Sequence, residues 1–341
     1  MRAHGGLKYI CLAPPTEPPG GGAPHFYLRV RQLVVMRYAA LMLALATLAA
    51  LCQPLAYASP PLKPLYPRAK VEVYKPSAGG GGGAVKLPIP KPGEPNKWAV
   101  VIGIADYEGS ASDLWHPDED AKEFYRALVK DYGFPRDHVV LLLNKKATSS
   151  AILAAIDWLL KWEDEDSTVV FFFSGHGYNF SEDVTSPTHP RDEEDGVDEA
   201  IVSYDFRGIT DDFLAGKLSE LEARRVFICI ISCFSGGMDD IYEALEGEGR
   251  SVVLVAACGE QQLTYDVLQL GNTLFGYYYV DRGILRGEAD GWGGGALDGV
   301  VTVEEAFYYA DHYVNAFVAA YGLPPSDPEM FDSDPAEAFS P

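Results

Sequence analysis

The chain has 341 residues, 48% of them apolar and 22% charged, which is enough for a sizeable core and unlike a disordered or fibrous protein. A formal net charge of −22 at pH 7 argues against nucleic acid as a partner and suits divalent cations or basic peptides. The cysteines Cys11, Cys52, Cys229, Cys233 and Cys258 are scattered and form no CxxC pair, which excludes a disulfide framework and a zinc-finger pattern.

Residues 1–35 are rich in proline and glycine and precede an internal methionine, Met36; they read as a doubtful extension ahead of the true start. Residues 36–58, MRYAALMLALATLAALCQPLAYA, carry Arg37, an apolar run from Ala39 to Cys52, and Ala56-Tyr57-Ala58 as a small-x-small cleavage pattern. That is a signal peptide, because the run is shorter than the roughly 20 residues a spanning helix needs. The expectation is a secreted protein with no stable membrane insertion once the signal is removed; an uncleaved anchor is the alternative. Residues 59–95 contain SPPLKPLYP, SAGGGGGA and PIPKPGEP and read as a linker.

From Trp98 the pattern changes, and residues 96–341 read as one domain. KWAVVIG is a β-branched apolar run. DEDAKEFYRALVKDYG reads as an amphipathic helix with an acidic first turn and Gly133 as its stop. HVVLLLN is a second strand, and TSSAILAAIDWLLKW a second helix capped by Thr148 or Ser149. STVVFFFS, RRVFICIIS and SVVLVAAC follow as three further strands. Continuous apolar strands alternating with helices predict an α/β fold with a mainly parallel sheet covered on both faces.

Sites in such sheets lie at the carboxyl ends of the strands. One strand ends in Ser174-Gly175-His176-Gly177, the next in Ser232-Cys233-Phe234-Ser235-Gly236-Gly237. A thiolate nucleophile needs a nearby base, and acyl transfer needs amide donors for the oxyanion; the N–H groups of Gly177 and Cys233 would supply these. A cysteine at the end of an apolar strand is more often inert, and Cys229 and Cys258 fit that description. The pair His176 and Cys233, each at a strand end beside small residues, points to chemistry.

FFFSGHG followed by CFSGG resembles the caspase-fold cysteine peptidases, which include caspases, metacaspases and legumain-like enzymes. RDEEDGVDEAIVSYDFRGITDDFL resembles the metacaspase segment between the two motifs, AVVIGIADYEG the first strand, and VVLVAACGEQQLTYD and LFGYYYVDRGIL the later elements of prokaryotic members. The resemblance spans about residues 96–335. It implies a helix–sheet–helix sandwich of about six strands, with His176 as base and acid and Cys233 as nucleophile in a dyad. It further implies peptide or protein substrates, an acyl-enzyme, and self-processing, for which Arg191 and Arg250 are candidates.

In metacaspases the residue two before the cysteine is an aspartate that binds a basic P1 side chain; here it is Ile231. Ser174 keeps the pocket hydroxyl. Asp118, Glu260 or Asp266 would have to supply the missing charge, with Asp266 placed in the pocket. Without one, an apolar P1 is expected, because an unpaired cation in an apolar pocket costs several kcal/mol.

The resemblance also implies calcium binding by aspartates of the loops, best matched by Asp211, Asp212 and Asp240, with Asp195 as a further ligand; a solvated acidic surface is the alternative. ALDGVVTVEEAF places Asp298, Gly299 and Glu305 at EF-hand positions, but Gly294 and Ala296 supply no ligand oxygens, so no calcium is expected there. No cofactor is needed for the chemistry. A transpeptidase on the same fold and an inactive binding scaffold are the rival readings. A dinucleotide-binding oxidoreductase lacks its GxGxxG after the first strand.

Overall fold

The computed structural model describes residues 60–75, 85–180, 196–247 and 249–341. The extension, the signal segment, Asp195 and Arg191 lie outside the described residues. The chain divides into two units, 1–58 and 59–341, and every described residue belongs to the second.

Two short strands come first, β1 (Leu62–Pro64) and β2 (Glu72–Val73). Then β3 (Lys97–Gly103), α1 (Pro117–Lys130), β4 (Val139–Leu143), α2 (Ser149–Trp162) and β5 (Thr168–Ser174) alternate as the sequence predicts. Three short strands, β6 (Gly177–Asn179), β7 (Glu199–Val202) and β8 (Arg207–Thr210), lead into α3 (Asp211–Leu218). Next come β9 (Arg225–Ile231), α4 (Asp240–Leu245), β10 (Ser251–Ala256), β11 (Tyr265–Val267) and β12 (Asn272–Thr273). A one-turn helix α5 (Leu274–Gly276) runs into a π-helical stretch (Tyr277–Leu285), and α6 (Val303–Tyr321) and β13 (Glu329–Asp332) end the chain.

The main sheet has six strands in the order β13-β10-β9-β5-β3-β4, parallel throughout except for β13 against β10. The expected α/β fold with helices on both faces is the one observed. Alternation within each strand explains the unbroken apolar runs. Val169, Phe171 and Phe173 of β5 join the core that includes Ile152, Ile156 and Leu159 of α2. Val170 and Phe172 join the opposite core with α1, where Phe124 stacks on Phe172 at 4.4 Å. The chain leaves β3 for β4 on one side and returns to β5 on the other, which opens a crevice at the carboxyl ends of the central strands.

Helix starts follow local chemistry. Thr148, not Ser149, caps α2, its hydroxyl accepting from the Ala151 N–H. Thr302 and Glu305 form a reciprocal capping box at the start of α6. Gly133 takes φ 74° just after α1, the left-handed region that suits glycine.

The stretch 59–95, expected as a linker, is in its described part bound to the domain. β1 lies in a small sheet β1-β11-β12, β2 in a second sheet β2-β8-β7-β6, and Leu65 and Val71 are buried. Its proline-rich composition outweighs a few apolar residues in a sequence reading; those residues are what anchor it. Among the described residues, no helix is long and apolar enough to cross a membrane.

Candidate active site

β5 and β9 pair in register, with Ser174 opposite Ile231. His176 and Cys233 each stand two residues beyond that pair, so they leave the sheet at one level on adjacent strands. The two exits are in contact. A Cβ on Gly177 would stand 1.9 Å from the Cys233 carbonyl oxygen, so only glycine fits there. Directly after Cys233 the chain reverses through Phe234, a non-glycine residue at φ 62° and ψ 19°. The Phe234 N–H donates to Gln262 O at 2.9 Å and fixes that turn.

His176 is buried, and its Nε2 lies 2.6 Å from the Ser112 carbonyl oxygen. A carbonyl only accepts, so Nε2 carries the proton. That leaves Nδ1 as the basic nitrogen, and it has no hydrogen-bond partner. Tyr107 supports the ring: its hydroxyl accepts from the His176 N–H at 2.7 Å and donates to Val202 O at 3.3 Å. Burial lowers the imidazole pKa from 6.5 to about 4; the Ser112 and Leu65 backbones oppose that shift and the Lys63 charge adds to it.

Cys233 is also buried, with Sγ 3.5 Å from Thr264 O. Burial pushes its thiol well above the ordinary value, and Cys258 adds to the effect, against opposing backbone contacts from Thr264 and Leu65. Cys229 and Cys258 are buried free thiols, and burial raises both pKa values.

The backbone of Leu65 crosses this site. Its N–H donates to Thr264 O at 3.0 Å, and its carbonyl accepts from the Gly177 N–H at 2.9 Å. The amide expected as an oxyanion donor therefore faces a peptide carbonyl.

Beside the dyad, the Ser174 hydroxyl donates to Asp120 Oδ2 at 2.8 Å. Asp120 is fully buried and also accepts from Thr273 Oγ1 at 2.6 Å and Asn272 Nδ2 at 3.1 Å. Burial raises its carboxyl to about 7, against the opposing bonds of Thr273, Ser174 and Asn272. The sequence reading took Asp120 only as one of several first-turn acids that favour the helix dipole. Helical spacing carried the missing signal: Asp120 shares the buried face with Ala121, Phe124 and Ala127.

Ile231 is fully buried beside Ser174 in the strand register. Asp266 is buried at the same, N-terminal end of α1 as Asp120, where Oδ1 meets His116 Nδ1 at 2.8 Å and Oδ2 accepts from the Trp115 and His116 N–H groups. Both its oxygens thus brace the loop that starts α1. Asp118 pairs with Lys122 at 2.9 Å and Asn144 at 3.1 Å.

Asp211 and Asp212 form the buried first turn of α3, and the β7–β8 register brings Asp198 and Glu199, also buried, alongside them. Asp240 is the first residue of α4. Carboxylate oxygens are the donor type a hard cation takes. Among the described residues, however, no three His, Cys, Asp or Glu side chains converge as metal ligands.

The chain is similar to known proteins. The chain is 32% identical over 161 residues to Metacaspase-4 of Arabidopsis thaliana, covering 46% of this chain and 37% of that protein. It is 29% identical over 216 residues to Metacaspase-1 of Cryptococcus neoformans, covering 59% and 46%. It is 31% identical over 154 residues to Metacaspase-1 of Kluyveromyces lactis, covering 42% and 34%. The matched stretch thus spans less than half the length of each relative. The caspase domain matches residues 96–305, which include both strand-end residues, and the chain belongs to the caspase-domain peptidase family.

Proposed function

We propose that the protein is a cysteine endopeptidase acting through Cys233 and His176. One observation carries the reading: the Gly177 N–H holds a peptide carbonyl, that of Leu65, at 2.9 Å beside both residues. A donor in that place stabilises the oxyanion that forms when a carbonyl is attacked.

The Cys233 thiol gives its proton to His176 Nδ1 as Sγ bonds to the carbonyl carbon. The imidazolium then returns that proton to the leaving amine as the C–N bond breaks, which leaves a thioester. Water, deprotonated by the same nitrogen, hydrolyses the thioester and frees the thiol. The Ser112 carbonyl holds the ring in the tautomer these steps require.

This chemistry needs no cofactor. Calcium would act on the loops through Asp195, Asp211, Asp212 and Asp240; their carboxylate oxygens, the donor type it takes, support that reading. The segment 36–58 supports secretion. The test is to incubate the full chain, Cys233→Ala and His176→Ala with a mixed peptide library, with calcium and with chelator, and to sequence the products. Cleavage by the unaltered chain alone, at least 10³-fold above either variant, is expected. Equal cleavage by Cys233→Ala overturns the assignment. Activity unchanged by chelator removes calcium from it.

A further inference from the structure

We propose that residues 62–66 are an internal peptide ligand laid across the active site in the register of a substrate. The site they occupy takes a leucine-sized apolar residue before the scissile bond and a basic residue two positions earlier. The inference rests on the reading of Cys233 and His176 as a peptidase dyad.

Main-chain geometry carries it. β1 adds to β11 as an antiparallel strand, pairing Leu62 with Val267, Lys63 with Asp266 and Pro64 with Tyr265. An extended peptide added to an edge strand in this way is a recurrent mode of peptide recognition. The pairing continues through the Leu65 N–H to Thr264 O, and ends with the Leu65 carbonyl on the Gly177 N–H. The next peptide bond, Leu65–Tyr66, is the one presented to the dyad.

Each side chain has its own surroundings. Leu65 is 0% exposed and belongs to the apolar cluster that contains Cys233. Lys63 Nζ donates to the Asp113 carbonyl at 2.6 Å and lies 4.3 Å above the Trp115 ring. Tyr66, past the bond, stacks on Tyr178 at 5.5 Å and meets the edge of Phe234 at 5.7 Å. Beyond it, the Ser112 hydroxyl accepts from the N–H groups of Arg68 and Ala69, which ties the segment down.

A tethered strand in this position excludes other peptides by its high effective concentration.

The experiment uses the full chain carrying Cys233→Ala, with and without Leu65→Asp, and a fluorescently labelled Leu-Lys-Pro-Leu-Tyr peptide read by anisotropy. Binding at least tenfold tighter to the Leu65→Asp chain is expected, as is weaker binding when arginine replaces the second leucine. With Cys233 intact, Leu65→Asp is expected to raise hydrolysis of the same peptide at least tenfold. Lys63→Glu, a half-buried position, serves as a second displacing variant if circular dichroism shows that Leu65→Asp has lost its fold. Equal peptide binding with and without displacement overturns the proposal. So does hydrolysis by the unaltered chain as fast as by the displaced one, although the peptidase reading then stands. Equal binding of the arginine peptide overturns the stated specificity. Tighter binding without hydrolysis upholds the ligand assignment and defeats the peptidase reading instead.

Discussion

Gly177 has no room for a side chain: a Cβ there would stand 1.9 Å from the Cys233 carbonyl oxygen, while its N–H holds the Leu65 carbonyl at 2.9 Å. Gly177→Ala is expected to cost about 1–3 kcal/mol, the usual range for overpacking a tight site. On the proposed mechanism it should also lower peptidase activity at least 100-fold, since the amide it displaces is the proposed oxyanion donor. Thermal unfolding and a peptide assay check the two parts; unchanged activity would remove Gly177 from the mechanism. His176, Cys233 and Gly177 were legible in the sequence because each is a distinctive residue at the end of an apolar run. Asp120 and the Ser112 carbonyl were not. Asp120 sits among other acids that have an ordinary reason to be there, and a main-chain carbonyl leaves no trace in composition or spacing.

At the level of elements, long apolar runs announced β3, β4, β5, β9 and β10, and helical patterning with end signals announced α1 and α2. The remaining strands are two to four residues long, too short for alternation to register. They exist because tertiary partners pair with them, and β1, which covers the site, is one of these. Local signals matter most where a helix must start cleanly. The capping box at Thr302 holds the first turn of α6, whose buried face includes Val303, Ala306 and Ala310. Thr302→Ala is expected to destabilise the protein by about 1 kcal/mol in urea unfolding. No change in midpoint would mean that tertiary packing alone sets that end.

For the molecule as a whole, two buried groups make opposing contributions to stability as pH changes. His176 titrates near 4 in the native state and near 6.5 in its ordinary one, so its stabilisation is present above 6.5 and lost as pH falls toward 4. Asp120 titrates near 7 rather than 3.8, so its contribution is present below 3.8 and lost as pH rises toward 7. Each slope is about 1.4 kcal/mol per pH unit, and over pH 4 to 6.5 the two largely cancel. Asp120→Asn is expected to leave stability rising with pH across that window, and His176→Asn to leave it falling, each relative to the unaltered chain. Urea unfolding at several pH values reads the slopes; the same sign in both variants would refute the assignment.

The Ser112 carbonyl has a consequence for genetics. In the proposed mechanism the atom that sets the tautomer of His176 belongs to the main chain, so replacing the Ser112 side chain leaves it in place. Systematic alanine replacement would therefore report a two-residue catalytic apparatus where the proposed mechanism has three working parts. Only a change in backbone path through residues 110–113, such as a one-residue insertion or deletion, would expose the third.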